Sequence, residues 1–213
     1  AINDYVNEGI MDWLGSEEFD RLMEITEPYA YIERYHIPKL LINATGDQFF
    51  QPDSWQFYWR DLKGEKYLRY VPNTGHSLDE TDAVETLTAF YDAVLDHEEL
   101  PDYSWKIGNS SISVNTDPAD PIDKIKLWWA VNEEGRDFRV STIGKVWKDS
   151  AVSINKNGKY NIKLSNPEKG WKAYFIELTY NYELPLKLTT GVKVLPGKHP
   201  YPPYKSPDPK GER

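Results

Sequence analysis

Two stretches decide how this chain reads: Ile37-Pro38-Lys39-Leu40-Leu41-Ile42-Asn43-Ala44-Thr45-Gly46-Asp47 and Tyr67-Leu68-Arg69-Tyr70-Val71-Pro72-Asn73-Thr74-Gly75-His76. Each is a short apolar run closed by a turn, and each turn carries a side chain able to handle a proton. A continuous apolar run of this length, bounded by turn residues, predicts a strand covered on both faces, as in parallel sheets. Between the two runs, residues 53–63 carry a helical pattern, with Asp53 or Ser54 as its cap and Gly64 suited to the position past its end. After the second run, Thr81 is placed to cap a helix. Its apolar face would hold Ala83, Leu87, Phe90 and Val94, with Val84 and Tyr91 alongside. Upstream, Ser16 with Glu17 and Glu18 opens another helix, which Pro28 ends.

The order is therefore strand, turn with acid, helix, strand, turn with histidine, helix. In a parallel sheet both turns lie at the carboxyl edge, where ligands bind. Adjacent strands lie about 5 Å apart, so side chains from neighbouring turns can meet. A Ser-His-Asp site needs this pairing, because a neutral imidazole takes the nucleophile's proton while a carboxylate fixes its tautomer and stabilises the imidazolium. In the chain order of α/β hydrolases the acid precedes the histidine and both follow the serine. Asp47 and His76 are the candidate catalytic pair. The plainer readings remain open at this point: His76 as a cap or a partner of a loop carbonyl, Asp47 as an ordinary turn residue. Asp53 reads as a helix cap, and Asp79 and Glu80 as the start of the last helix. His36, His97 and His199 lie away from both turns, and no histidine spacing resembles a metal site. The nucleophile is missing. No Gly-x-Ser-x-Gly elbow occurs; Ser16 reads as a cap and Ser110 as the start of a strand. The elbow is expected on sequence upstream of this chain. Ala1-Ile2-Asn3-Asp4 shows no initiator Met, signal or lipidation motif, as expected of a processed or partial chain.

From about residue 103 the pattern changes to short strands separated by Gly, Pro, Asn and Asp turns, with candidates at 111–114, 125–131, 138–147, 150–155, 159–164, 171–182 and 187–195. This predicts an antiparallel sandwich of immunoglobulin or fibronectin type III style. The Pro-rich end after Leu195 predicts an extended tail. The fold class expected is thus α/β over residues 1–101, as the C-terminal part of an α/β-hydrolase fold, then an all-β sandwich over 102–196 and a tail over 197–213.

Composition narrows the function. With 34 acidic and 25 basic residues the net charge is -9, which argues against nucleic acid as the main partner. No apolar stretch is long enough for a transmembrane helix. The absence of cysteine removes disulfides, thiolate metal sites and a cysteine nucleophile. No cofactor or metal is expected. Aromatic residues make up 14% of the chain, enough to build a core and to leave rings over for recognition. Trp55, Phe57, Tyr58 and Trp59 suit either an entrance lining or core packing. Trp105, Trp128, Trp129, Trp147 and Trp171 suit either a binding face or an inner face.

The segment from Tyr31 through Leu78, which holds the two stretches quoted first, resembles the PhoPQ-activated pathogenicity-related proteins, as does Gly170-Trp171-Lys172-Ala173-Tyr174-Phe175-Ile176-Glu177-Leu178-Thr179-Tyr180. The resemblance extends to about Leu195. It implies an α/β-hydrolase-like parent whose N-terminal half bears the nucleophile, with a signal sequence and a periplasmic or secreted location. Its acid would map to Asp47 and its histidine to His76. This chain, lacking that half, is expected to be inactive alone. Two functions follow. One is ester or amide hydrolysis by the parent, on a small-molecule or peptide substrate of unknown identity. The other is a non-catalytic secreted binding or signalling protein on a hydrolase frame, with the β-sandwich as the binding module; the resemblance links either to virulence.

Overall fold

The computed structural model describes residues 3–212. The chain opens with α1 (Asn3–Asn7), a 3-10 turn at Ile10–Trp13 and α2 (Glu17–Thr26). Ser16 caps α2 as expected, its Oγ accepting from the Phe19 N–H at 3.2 Å. Pro28, which cannot donate into a helix, begins a 3-10 segment at Pro28–Arg34. Then come β1 (Lys39–Ala44) and β2 (Lys66–Val71), parallel and in register from Lys39 against Lys66 to Ala44 against Val71. α3 (Ala83–Leu95) follows and buries Thr86, Ala89, Phe90 and Ala93.

The rest is mostly strand: β3 (Tyr103–Ile107), β4 (Ser111–Thr116), β5 (Ile122–Asn132), the short α4 (Val140–Ile143), β6 (Lys148–Ala151), β7 (Lys159–Lys163), β8 (Trp171–Tyr180), β9 (Leu186–Thr189) and β10 (Lys193–Leu195). One antiparallel sheet runs β10-β8-β5-β6, with β9 beside β10 on the same side of β8, and a second runs β3-β4-β7. Ile112, Val114 and Tyr160 from the three-stranded sheet pack with Ile125, Ile176, Leu178 and Leu188 from the five-stranded one, and Tyr67, Ala89 and Phe90 join the same cluster. β8 is covered on both faces. Its even-numbered Tyr174, Ile176, Leu178 and Tyr180 enter this cluster, whereas Ala173 and Phe175 enter a second one with Leu68, Tyr70, Phe138 and Trp147.

The α/β expectation is overturned. Among the described residues strands predominate, gathered in several small sheets, and the parallel sheet has two strands only. The first half is not the C-terminal part of an α/β-hydrolase fold. The link between β1 and β2 shows why the pattern misled. Residues 53–63 form a 3-10 turn at Ser54–Phe57 and further turns rather than a crossover helix. Asp53 makes no cap bond; it pairs with Arg136, across 83 residues of sequence. The Gln56 amide donates to the Asp53 carbonyl at 2.8 Å, a local bond that competes with helix propagation. Trp55 and Trp59 both turn onto Trp105 of β3, with centroids 4.8 and 5.4 Å away. The sandwich expectation is met in part, as two antiparallel sheets that share a core. Residues 138–147, read as a strand, instead hold α4 and loop.

β2 is fixed to β9 by hydroxyls. Thr189 Oγ1 accepts from the Tyr70 N–H at 2.9 Å and lies 3.4 Å from the Leu68 carbonyl, to which it donates. Tyr103 Oη accepts from the Leu68 N–H at 3.1 Å and donates to the Thr189 carbonyl at 3.1 Å. These bonds satisfy backbone groups that would otherwise be buried unpaired. Nearby, Arg69, 1% exposed, sits between Glu177 of β8 and Asp82 at the start of α3, and Lys187 of β9 closes the network on Asp82.

Candidate active site

The sequence places an acid and a histidine in separate turns, and the fold brings them into contact. Asp47 follows β1, His76 follows β2, and the parallel register puts both strand ends at one edge. His76 Nδ1 lies 2.9 Å from Asp47 Oδ2. The other carboxylate oxygen accepts from the backbone N–H groups of Phe49 at 2.7 Å and Phe50 at 3.2 Å. A carboxylate can only accept, so Nδ1 carries the proton and Nε2 of the neutral ring is the free acceptor. Nε2 has no hydrogen-bond partner among the described residues. The Asp47 side chain is 7% exposed and that of His76 50%. One member of the pair is sealed in and the other opens to an incoming group.

Local interlocks hold the turns. The Thr45 N–H donates to the Val71 carbonyl and the Gly46 N–H to the Thr74 carbonyl, each at 3.0 Å. The Val140 N–H of α4 donates to the Gly46 carbonyl at 3.0 Å. A Cβ at position 46 would sit 2.9 Å from both Thr74 O and Val140 N, so glycine is required by close approach. Asn73, at φ 60, exchanges two bonds with the backbone of Trp147, at 3.0 and 2.8 Å. The turn bearing His76 is thus tied to the second half of the chain. The His76 N–H donates to Gln48 Oε1 at 3.3 Å. Phe49 meets the imidazole edge to face at 4.7 Å, and Phe50 lies 6.1 Å away.

A cleft of about 380 Å³ opens beside Asp47, between the Gln48–Pro52 loop and Arg136, Phe138, Arg139 and Tyr201. Gln48, Phe49, Phe50 and the Arg136–Arg139 segment were not singled out from sequence. The Gln48–Pro52 run directly follows the acid and could have been. The Arg136 side depends on contacts across more than 80 residues, which no local pattern reveals. Of the competing acids, Asp53 is held by Arg136, and the acid bonded to the imidazole is Asp47. His36 lies before β1, His97 just past α3 and His199 in the tail. Among the described residues, no three His, Asp or Glu side chains are grouped to hold a metal ion, and no helix is long and apolar enough to cross a membrane. The five tryptophans read as a candidate face are all at least half-buried. Trp128 stacks on Phe175, Trp147 lies against the same ring, and Trp171 Nε1 donates to the Lys198 carbonyl at 3.1 Å.

Residues 1–139 match the family model for PhoPQ-activated pathogenicity-related protein. A curated relative, autocrine proliferation repressor protein A of Dictyostelium discoideum, is 36% identical over 229 residues. That alignment covers 94% of this chain and 46% of the relative, so the chain spans about half the length of the curated relative it matches.

Proposed function

We propose, from the premise that this chain belongs to the PhoPQ-activated pathogenicity-related protein family, that Asp47 and His76 are the acid–base half of a Ser-His-Asp-type hydrolytic site acting on an ester or amide. The observation that carries the reading is the 2.9 Å bond between His76 Nδ1 and the buried carboxylate of Asp47, with Nε2 left free. In such a site Nε2 takes the proton of a nucleophilic hydroxyl as it attacks the carbonyl carbon, then returns it to the leaving group. Asp47 holds the tautomer and stabilises the imidazolium between the two steps. The nucleophile belongs to another part of the whole protein, so this chain alone does not turn over substrate. A periplasmic or secreted location fits the family's description.

The test is fluorophosphonate labelling of the full-length protein. Labelling of one serine, reduced by orders of magnitude in His76→Ala, is the expected result. A folded, full-length protein that takes no label would refute the reading. A second reading, non-catalytic binding or signalling, is favoured by the name of the relative, a proliferation repressor. It predicts that His76→Ala leaves the biological activity unchanged.

A further inference from the structure

Three clefts share walls along one side of the molecule. The cleft beside Asp47 adjoins one of about 470 Å³ through Gln51, Arg136, Arg139 and Tyr201. That one adjoins a third, of about 380 Å³, through Arg136 and His199. Together they form a groove leading from Asp47 to the edge of β10. The near end is apolar, where Phe49 and Phe50 stand about half exposed beside the imidazole. The far end is polar, with Asp53, Arg60, Arg136, Lys193 and His199 around the Trp55 ring.

Charge is not balanced along this groove. Arg139 is matched by Asp137, and Arg136 by Asp53. Arg60 and Lys193 make no ion pair with the described residues, so the far cleft holds two positive charges in excess, in a chain of net charge -9. Arg136 adds a buried Nε–H without a hydrogen-bond partner. Guanidinium and ammonium donors in a shared cleft recognise oxyanions, and charge-assisted bonds are the strongest that a polar cleft can offer.

We propose that the far cleft, through Arg60 and Lys193, binds an oxyanion carried by the substrate, an apolar part of which lies at Phe49 and Phe50 beside the scissile bond. The proposal rests on the hydrolytic reading for its scissile bond and on the charge distribution for its anion. The substrate class is an extended ester or amide, apolar at the reacting end and carrying a carboxylate or phosphate at the remote end.

The experiment uses the full-length protein and three p-nitrophenyl esters: the hexanoate, the hydrogen adipate, and a phosphate-ended analogue of the same length. The anionic esters are expected to exceed the neutral one in kcat/KM by on the order of tenfold, mainly through KM. The preferred anion then identifies the source. Arg60→Ala with Lys193→Ala should abolish that preference and leave the neutral ester unaffected. Equal turnover of all three by the wild type overturns the proposal. A companion arm titrates adipate and inorganic phosphate into His76→Ala protein by calorimetry. If no ester is cleaved, binding heat that disappears when Arg60 and Lys193 are replaced supports the anion site and refutes the hydrolytic reading. Absence of binding heat in that case overturns the anion site as well.

Discussion

Asp47 uses both carboxylate oxygens, one on the imidazole and one on two backbone amides. Asp47→Asn keeps an oxygen for the amides, so the turn should survive. An amide facing Nδ1 no longer requires a proton there, and the wrong tautomer becomes accessible. We expect this substitution in the full-length protein to lower kcat by up to about 10⁴-fold with little change in melting temperature; steady-state kinetics and thermal unfolding on one preparation check it. Arg69 makes a structural counterpart. Its removal as Arg69→Met leaves Glu177, 4% exposed, without its partner, and should cost about 3–5 kcal/mol in urea denaturation. Adding Glu177→Leu should recover part of that loss, since matched apolar replacements tolerate burial better than a stranded charge. Asp82 gives the network its pH dependence. Burial pushes its carboxyl up, but Arg69 and Lys187 outweigh burial and hold it below its ordinary value of 3.8. A depressed carboxyl contributes stability above its unfolded pKa and loses it as pH falls through the folded one. Stability should therefore decline below about pH 4, and Asp82→Asn should flatten that decline.

The helix after Thr81, the capped helix at Ser16 and both parallel strands could be read from sequence, because each is set by neighbours a few residues away. Thr81 itself accepts from the Ala83 N–H at 3.4 Å. The proximity of Asp47 and His76 was legible for the same reason: two strands, two turns and one direction of travel. The stretch 53–63 was not legible. Its conformation follows from Trp105 and Arg136, distant partners invisible to periodicity. Nor was α4, whose position depends on Gly46 and whose following loop is tied to Asn73. The join between β2 and β9 shows how much an element can owe to one hydroxyl. Thr189→Val retains the shape of the side chain but removes the acceptor for the Tyr70 N–H and the donor to the Leu68 carbonyl. A loss of about 1–3 kcal/mol is expected, with faster hydrogen exchange at the Tyr70 amide as the local readout. Gly46→Ala should lose about 1–3 kcal/mol through the crowding of Val140 and Thr74. It should also reduce fluorophosphonate labelling by shifting the acid.

For the molecule as a whole, the sequence showed a change of pattern near residue 100 but not how the two regimes share a core. Tyr67, Ala89 and Phe90 pack in one cluster with Ile112, Ile125, Ile176 and Leu188, and the His76 turn is tied to Trp147 through Asn73. Unfolding should therefore be a single cooperative transition, with tryptophan fluorescence and far-UV circular dichroism giving coincident curves. The tail belongs to this unit too. The Lys210 N–H donates to the Asp12 carbonyl at 2.8 Å and the Glu17 N–H to the Glu212 carbonyl at 2.9 Å, while Tyr201 walls the groove. Among the described residues β1 pairs with β2 alone, so within this chain its other side, flanked by Leu40, Leu41 and Ile42, is an edge that no strand covers. Such an edge is a template for any extended segment that drifts past, including one from a neighbouring molecule. Concentrated solutions of this chain by itself should accumulate oligomers stitched rung by rung through this strand, and Ile42→Lys should keep the molecules apart.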